Sequence, residues 1–207
     1  MRKKGYLITF EGIDGSGKTT QLKKAENFLR HRGHNIMVLR EPGSTSLAEK
    51  IRKILLSKEN NIPPESELLL YLAARADLVQ KVIAPALNKG KIILCDRFYD
   101  STTAYQGYGR RLDIALIKKM NRLAVGPAVP DLTFIIDVDF KTSLKRRKKE
   151  SDRLESESKR FFEMVRRGFL TIGREEKRRI CIIDGRGTAD ATFAEVLDCL
   201  KRKLKIV

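Results

Sequence analysis

The sequence predicts an α/β fold of three layers, a five-stranded parallel sheet covered by helices on both faces. Three observations lead there. Five short, near-continuous apolar runs of four or five residues read as strands buried on both sides. Longer stretches with apolar residues at helical spacing separate them. A glycine-rich motif joins the first strand to the first helix.

Taken in order, Tyr6–Phe10 is the first strand. Thr19–Arg32 follows as a helix with Leu22, Ala25, Phe28 and Leu29 on one face, ended by Gly33. Ile36–Leu39 is the second strand, and Leu47–Leu56 a helix. Pro63-Pro64 breaks the chain before a long helix from about Glu65 to Asn88. Ile92–Cys95 is the third strand, Leu132–Ile136 the fourth and Ile180–Ile183 the fifth. Helical patterns over Asp113–Ala124, Thr142–Lys149, Ser158–Arg178 and Thr192–Lys205 fill the intervals. In 207 residues, with no repeat and no linker, this is one domain spanning 1–207.

Composition narrows the setting. With 42% apolar and 33% charged residues, the chain suits a soluble globular protein. No apolar run approaches the roughly 18 residues of a membrane span, so no membrane partner is expected. Met1-Arg2-Lys3-Lys4 leads into only a short apolar stretch broken by Glu11, unlike a signal peptide. Cys95, Cys181 and Cys199 are few, odd in number and far apart. Neither a disulfide nor a zinc site is expected, and a cytoplasmic location follows by default. Lys and Arg number 43 against 26 Asp and Glu, a net charge of +17, which points to a polyanionic partner or substrate. The densest cluster is Lys145-Arg146-Arg147-Lys148-Lys149.

The motif itself carries the chemistry. Gly12-Ile13-Asp14-Gly15-Ser16-Gly17-Lys18-Thr19 matches G-x-x-x-x-G-K-[ST], the phosphate loop of P-loop NTPases. Its glycines let backbone N–H groups turn inward around phosphate oxygens, and the helix that follows offers its positive end to the same anion. Lys18 is placed to reach the β- and γ-phosphates of a nucleotide, and Thr19 to ligate Mg²⁺.

Absent motifs restrict the class. The only Asn-Lys pair, Asn88-Lys89, runs into Gly90-Lys91 and is not a guanine-binding N-K-x-D. After the third strand Asp96 is followed by Arg97, not by an acid that could activate water. An Asp-Arg pair there suits phosphoryl transfer to another phosphate, with Asp96 on magnesium and Arg97 gripping phosphate oxygens. Two alternatives stay open on these residues. One is a kinase for another nucleotide or for a deoxynucleoside, using Glu11 or Asp14 beside the acceptor hydroxyl. The other is a basic, nucleic-acid-stimulated ATPase.

Several further motifs stand in a fixed order: Phe10-Glu11-Gly12 into the phosphate loop and Thr20, Arg40-Glu41-Pro42-Gly43, Tyr71-Leu72-Ala73-Ala74-Arg75, Asp96-Arg97-Phe98, Ser101-Thr102-Thr103-Ala104-Tyr105-Gln106-Gly107, Pro130-Asp131-Leu132 and Asp152-Arg153-Leu154-Glu155. In this the chain resembles the thymidylate kinase (dTMP kinase) family over nearly its whole length. The resemblance implies ATP as donor, dTMP as acceptor, Mg²⁺ as cofactor and a homodimer, with no nucleic-acid partner. It implies that residues 12–20 bind ATP, and that Asp14 meets the deoxyribose 3′-hydroxyl near the transferring phosphate. Arg40 and Arg97 are then expected on the acceptor phosphate. Tyr71, where the family usually has Phe, is expected to stack on thymine and Arg75 to bond its carbonyl. Thr102 and Gln106 fall to the base edge and Tyr105 to the 2′ position, with Ser101 also expected to bind dTMP. The segment 143–156 resembles the family's mobile lid. This phosphate loop carries no arginine, so the resemblance implies a lid arginine as the catalytic one. Arg153 is the first choice, with Arg146 and Arg147 beside the adenine. Lys18, Arg97, Arg153 and Asp14 thus form the expected catalytic set.

Overall fold

The computed structural model describes residues 5–147 and 152–204. Five parallel strands form one sheet in the order β2-β3-β1-β4-β5. They are β1 (Tyr6–Glu11), β2 (Ile36–Arg40), β3 (Ile92–Asp96), β4 (Leu132–Asp137) and β5 (Ile180–Asp184). Side chains alternate across the pleat. Ile8 and Phe10 join Leu94, Phe134 and Ile136 under α1 (Lys18–His31) and α9 (Ala189–Lys203), where Leu22, Leu29, Val196 and Leu200 meet them. Leu7, Ile93 and Cys95 face the other way, onto Leu78, Ile83 and Val125. Ile135 on that face packs with Phe162, Val165, Phe169 and Ile172 of α8 (Lys159–Glu175). Both faces are covered, as the unbroken apolar runs require.

Thr9 and Glu11 interrupt this pattern on the α8 side of β1. Both are fully buried. The Thr9 hydroxyl is satisfied by Thr133 at 2.7 Å, and Glu11 by groups of the site described below.

Caps fix most helix starts one to three residues away from the apolar pattern. Thr45 caps α2 (Ser46–Leu56), Asp113 caps α6 (Ile114–Val125) and Ser158 caps α8, each accepting from a first-turn N–H. Asp139 likewise starts α7 (Phe140–Arg146), two residues before the pattern beginning at Thr142. Lys148 and Lys149, which completed the expected helix and basic cluster, and Lys205 lie outside the described residues.

Three differences from the sequence expectation have physical causes. The long helix is α3 (Pro64–Leu78) continued by a π-helical turn, Val79–Ile83, into α4 (Ala84–Asn88). Pro85 has no N–H for the carbonyl four residues back, and a wider turn accommodates it. The sequence pattern predicts no element over residues 99–109, but they form α5 (Tyr99–Thr102) and π-helical turns over Thr103–Gly109. Ser, Thr and Gly are weak helix formers, and packing on α8 decides the matter. A side chain at Gly109 would meet Phe161 at 2.6 Å, and one at Gly168 would meet Tyr108 at 2.7 Å. Finally, Cys181 and Cys199 are joined as a disulfide, contrary to the reading from cysteine count. The turn after β5 folds α9 back onto it, bringing the two Cα atoms to 6.8 Å. Cys95 is free and buried.

Candidate active site

In an open parallel sheet, ligands sit where strand order reverses, at the carboxyl ends of the strands. Here that is the crevice beyond β1 and its neighbours β3 and β4. The phosphate loop leaves β1 with Gly12 at φ +136°, a conformation favouring glycine, and a side chain there would meet the Ile136 carbonyl at 2.5 Å. Gly17, at φ +96°, sets the entry into α1 without a side-chain cap among the described residues. The first N–H groups of α1 are therefore left to an anion. Ser16 Oγ, buried in the same loop, has no hydrogen-bond partner among the described residues.

Strand β3 delivers Asp96 and Arg97 beside this cradle. Thr19 Oγ1 donates to Asp96 Oδ2 at 2.6 Å. Arg97, at φ +68°, is a non-glycine residue in the left-handed region, the kind of strain that functional sites retain. Its guanidinium donates to Gly12 O (2.9 Å), Asp14 Oδ1 (2.6 Å), Ser101 Oγ (3.1 Å) and the Tyr105 hydroxyl (3.2 Å). Lys18 Nζ lies 3.4 Å from the same Asp14 oxygen. Burial opposes the Asp14 charge, but Arg97 and Lys18 outweigh it and hold the carboxyl well below its ordinary value.

From Asp14 a half-open cleft extends between α2, α3 and α5. Arg97, Ser101 and Tyr105 stand at its phosphate-loop end, and Tyr71, Arg75, Thr102 and Gln106 also line it. Burial pushes the phenols of Tyr71 and Tyr105 up, so both stay neutral. Arg75 is 1% exposed, held by Glu41 at 2.7 Å and by Asn121 at 2.8 Å. Thr102 Oγ1 and Glu41 Oε1 are buried on the cavity wall without hydrogen-bond partners among the described residues. Such orphaned groups mark a place where a polar ligand completes the bonding.

A family model described as thymidylate kinase matches residues 10–196. The chain belongs to the thymidylate kinase family. A thymidylate kinase from Thermoanaerobacter sp. (strain X514) is 47% identical, over 97% of this chain and all of that one. One from Geobacter sulfurreducens is also 47% identical, over 97% of this chain and 98% of the relative. The crystal structure of thymidylate kinase from Ehrlichia chaffeensis superposes with a TM-score of 0.81 at 38% identity, covering 95% of this chain and 99% of that one. The chain is accordingly a nucleoside monophosphate kinase, a phosphotransferase.

Within this thymidylate kinase fold, two expected residues stand elsewhere. Arg40 lies outside the cavity lining, more than half exposed and paired with Glu49 at 2.9 Å. The pleat turns Arg40 outward, while the next residue, Glu41, reaches the cavity. Arg153 is not at the phosphate loop either. It donates to Glu67 Oε2 at 2.5 Å and to the Leu55 carbonyl at 2.9 Å. Arg147, from the same segment, lies beside the loop at Asp14. It donates to Ser143 Oγ at 2.9 Å, and that hydroxyl donates to the Asp14 carbonyl at 2.6 Å. Its guanidinium sits 4.0 Å from the centre of the Phe162 ring. Arg146 anchors on the Gly185 carbonyl at 2.7 Å, in a second cleft shared with Thr20, Gln21 and Gly187.

Sequence reasoning missed Arg52 on the cavity wall, and gave no role to Pro42, Phe98 and Asp152, which line it from within the quoted motifs. Arg52 sits in a run of basic residues on α2 that reads as a solvated face, yet it donates to the Pro42 carbonyl at 2.9 Å and points into the cavity lining. For Glu11 the sequence suggests only a base beside the hydroxyl of another acceptor. It accepts from Phe98 N at 2.7 Å and Ser101 Oγ at 2.5 Å, fixing the segment that carries Arg97. Burial, aided by Asp100, pushes the Glu11 carboxyl up to about 8 from its ordinary 4.5. The folded chain therefore keeps a proton that the unfolded chain loses. Its stabilising contribution is full below pH 4.5 and is lost as pH rises through about 8. Glu11→Gln keeps the neutral shape without the titration. Wild type should lose up to about 1.4 kcal/mol per pH unit relative to Glu11→Gln across that window. Denaturant melts at several pH values measure this, and a constant gap between the two proteins refutes it.

Proposed function

We propose that this site transfers the γ-phosphoryl group of ATP directly to the phosphate of dTMP, giving ADP and dTDP for dTTP synthesis. The observation that carries the assignment is the Asp14–Arg97 junction, which belongs to both the phosphate loop and the acceptor cavity. ATP lies along Gly12, Ile13, Asp14, Gly15, Ser16, Gly17, Lys18, Thr19 and Thr20, with its adenine in the cleft beside Arg146. The acceptor phosphate meets Arg97, and Arg52 joins it from α2 in the part first expected of Arg40. Thymine lies against Tyr71, with Arg75, Ser101, Thr102 and Gln106 around its edge and sugar. Tyr105 and Asp14 flank the deoxyribose.

The acceptor oxygen belongs to a phosphate with a second pKa of about 6, ionised at neutral pH, so the site needs no general base. What the chain supplies is alignment and charge neutralisation by Lys18, Arg97 and a lid arginine. Thr19 and Asp96 are a hydroxyl and a carboxylate 2.6 Å apart at the mouth of the phosphate loop, a hard-oxygen pair fitting Mg²⁺. The ion, when bound with the nucleotide, neutralises phosphate charge.

The chain acts as one domain, residues 1–207, whose 143–156 segment, of which 148–151 lie outside the described residues, serves as a lid over the nucleotides that keeps water out. It works as a homodimer. Leu69 on α3 and Leu116 and Leu123 on α6 are exposed at 56%, 52% and 86%, apolar surface that a second copy would cover. Among the described residues no helix is long and apolar enough to cross a membrane. A cytoplasmic location and independence of nucleic acid complete the proposal.

ADP formation from Mg-ATP with dTMP, dUMP, dCMP, dGMP, UMP, thymidine or no acceptor tests it. A strong dTMP preference with little ADP in the blank is expected. Acceptor-independent hydrolysis that rises with DNA would replace the proposal with the ATPase alternative.

A further inference from the structure

One buried carboxylate has no part in this scheme, yet it stands behind the acceptor cavity. Glu67, on α3, is fully buried. Gln106 Nε2 donates to its Oε1 at 2.7 Å, Arg110 donates through Nε and Nη2 at 3.2 Å each, and Arg153 Nη2 donates at 2.5 Å. Arg110 is itself tied to Glu157 at 2.6 Å. Burial alone would favour the protonated acid. Hydrogen bonds from Arg110, Gln106 and Arg153, with the Arg110 charge, reverse that and hold Glu67 below its ordinary value.

An ionised carboxylate can only accept hydrogen bonds. Gln106 must therefore face Glu67 with its N–H₂, and the other fork of the amide, the carbonyl oxygen, is left for the cavity that Gln106 lines. We propose that Glu67 is a positioning residue for acceptor choice. By fixing the Gln106 amide it presents a carbonyl oxygen to the acceptor's base, selecting pyrimidines with a ring N–H over those with a bare ring nitrogen. The proposal rests on the assignment of this cavity to the acceptor base. Thymine and uracil carry that N–H; cytosine has a lone pair there. A lone pair facing a lone pair leaves buried acceptors unpaired, a discrimination of roughly 10- to 100-fold. Arg153 places the lid on the same carboxylate, so the closing segment and the base reader share one anchor.

The test compares kcat/KM of wild type and Glu67→Gln for dTMP, dUMP and dCMP, with folding checked by thermal melting. A carboxamide can donate or accept, so it no longer dictates how Gln106 is turned. The dTMP-to-dCMP ratio should fall at least about 10-fold, while the dTMP-to-dUMP ratio stays within about twofold because this contact does not read the methyl group. A packing defect would lower all three acceptors together and leave both ratios in place; that result overturns the proposal. In a Gln106→Leu background, Glu67→Gln should shift the dTMP-to-dCMP ratio by no more than about twofold, and multiplicative losses overturn it. Should Glu67→Gln fail to fold, Glu67→Asp keeps the charge but withdraws it by one methylene. An unchanged dTMP-to-dCMP ratio in that variant overturns the proposal. A wild type without preference for dTMP over dCMP would remove the base-site assignment, and this proposal with it.

Discussion

Replacing Arg97 by alanine is expected to lower kcat/KM for dTMP by about 10³- to 10⁵-fold, the scale at which an arginine contributes to phosphoryl transfer. One guanidinium bonds Gly12, Asp14, Ser101 and Tyr105, so it joins the phosphate loop to the acceptor wall. Under the proposed assignment the loop and the acceptor phosphate then lose their common reference, and Asp14 keeps Lys18 at 3.4 Å and the Tyr105 hydroxyl at 3.3 Å. Both kcat and KM should worsen if, as proposed, the group both binds the acceptor and neutralises the transition state. Arg97→Lys should recover little, since a single ammonium cannot reproduce a forked set of donors. Arg97→Gly separates the backbone from the side chain. At φ +68° glycine relieves strain of about 1 kcal/mol, so this variant should melt higher than Arg97→Ala while being equally inactive. Steady-state kinetics alongside thermal melts check both statements. A loss in kcat/KM under about 10-fold would remove Arg97 from the transfer step.

How much of this was legible beforehand follows from what each residue needs. The phosphate loop was legible because its glycines are demanded by the backbone itself; Gly12 has no room for a Cβ against the Ile136 carbonyl. Asp96-Arg97 was legible because it ends an apolar strand, and strand ends are where such sheets bind. Glu67 was not, since on α3 it resembles any acid in a first helical turn, a position that suits the helix dipole. Only the folding of residues 103–110 and of Arg153 against α3 brings its three partners together. Arg52 was hidden for the same reason among basic neighbours on α2. The turns over 99–109 lacked helical propensity, and the packing that makes them helical comes from α8, over fifty residues later in the chain. The Cys181–Cys199 contact likewise depends on how α9 folds back, which cysteine spacing alone does not reveal.

Arg147 and Arg153 of the proposed lid should divide by kinetic parameter. Arg147 is stacked on Phe162 and bonded through Ser143 to the backbone of Asp14, so its cation is held against the phosphate loop. Its field reaches the Asp14 carboxylate, and it is one of the charges keeping that group ionised. Arg153 is spent on Glu67 and the end of α2, beside the end of the cavity that the proposal gives to the base. Arg147→Ala should therefore lower kcat by about 10²- to 10³-fold with little change in KM for dTMP, as expected for a donor that acts on developing charge. Arg153→Ala should raise KM for dTMP by about 10-fold and leave kcat within about threefold, as expected for loss of uniform binding. Single-turnover measurements with saturating ATP separate the two effects from product release. The reverse pattern, a collapse of kcat in Arg153→Ala alone, would mean that the lid exchanges arginines as it closes. Glu67 would then hold Arg153 in reserve in the open state. Under that outcome Glu67→Gln would release Arg153 and change the rate of closure, which rapid-mixing fluorescence of a labelled lid would detect.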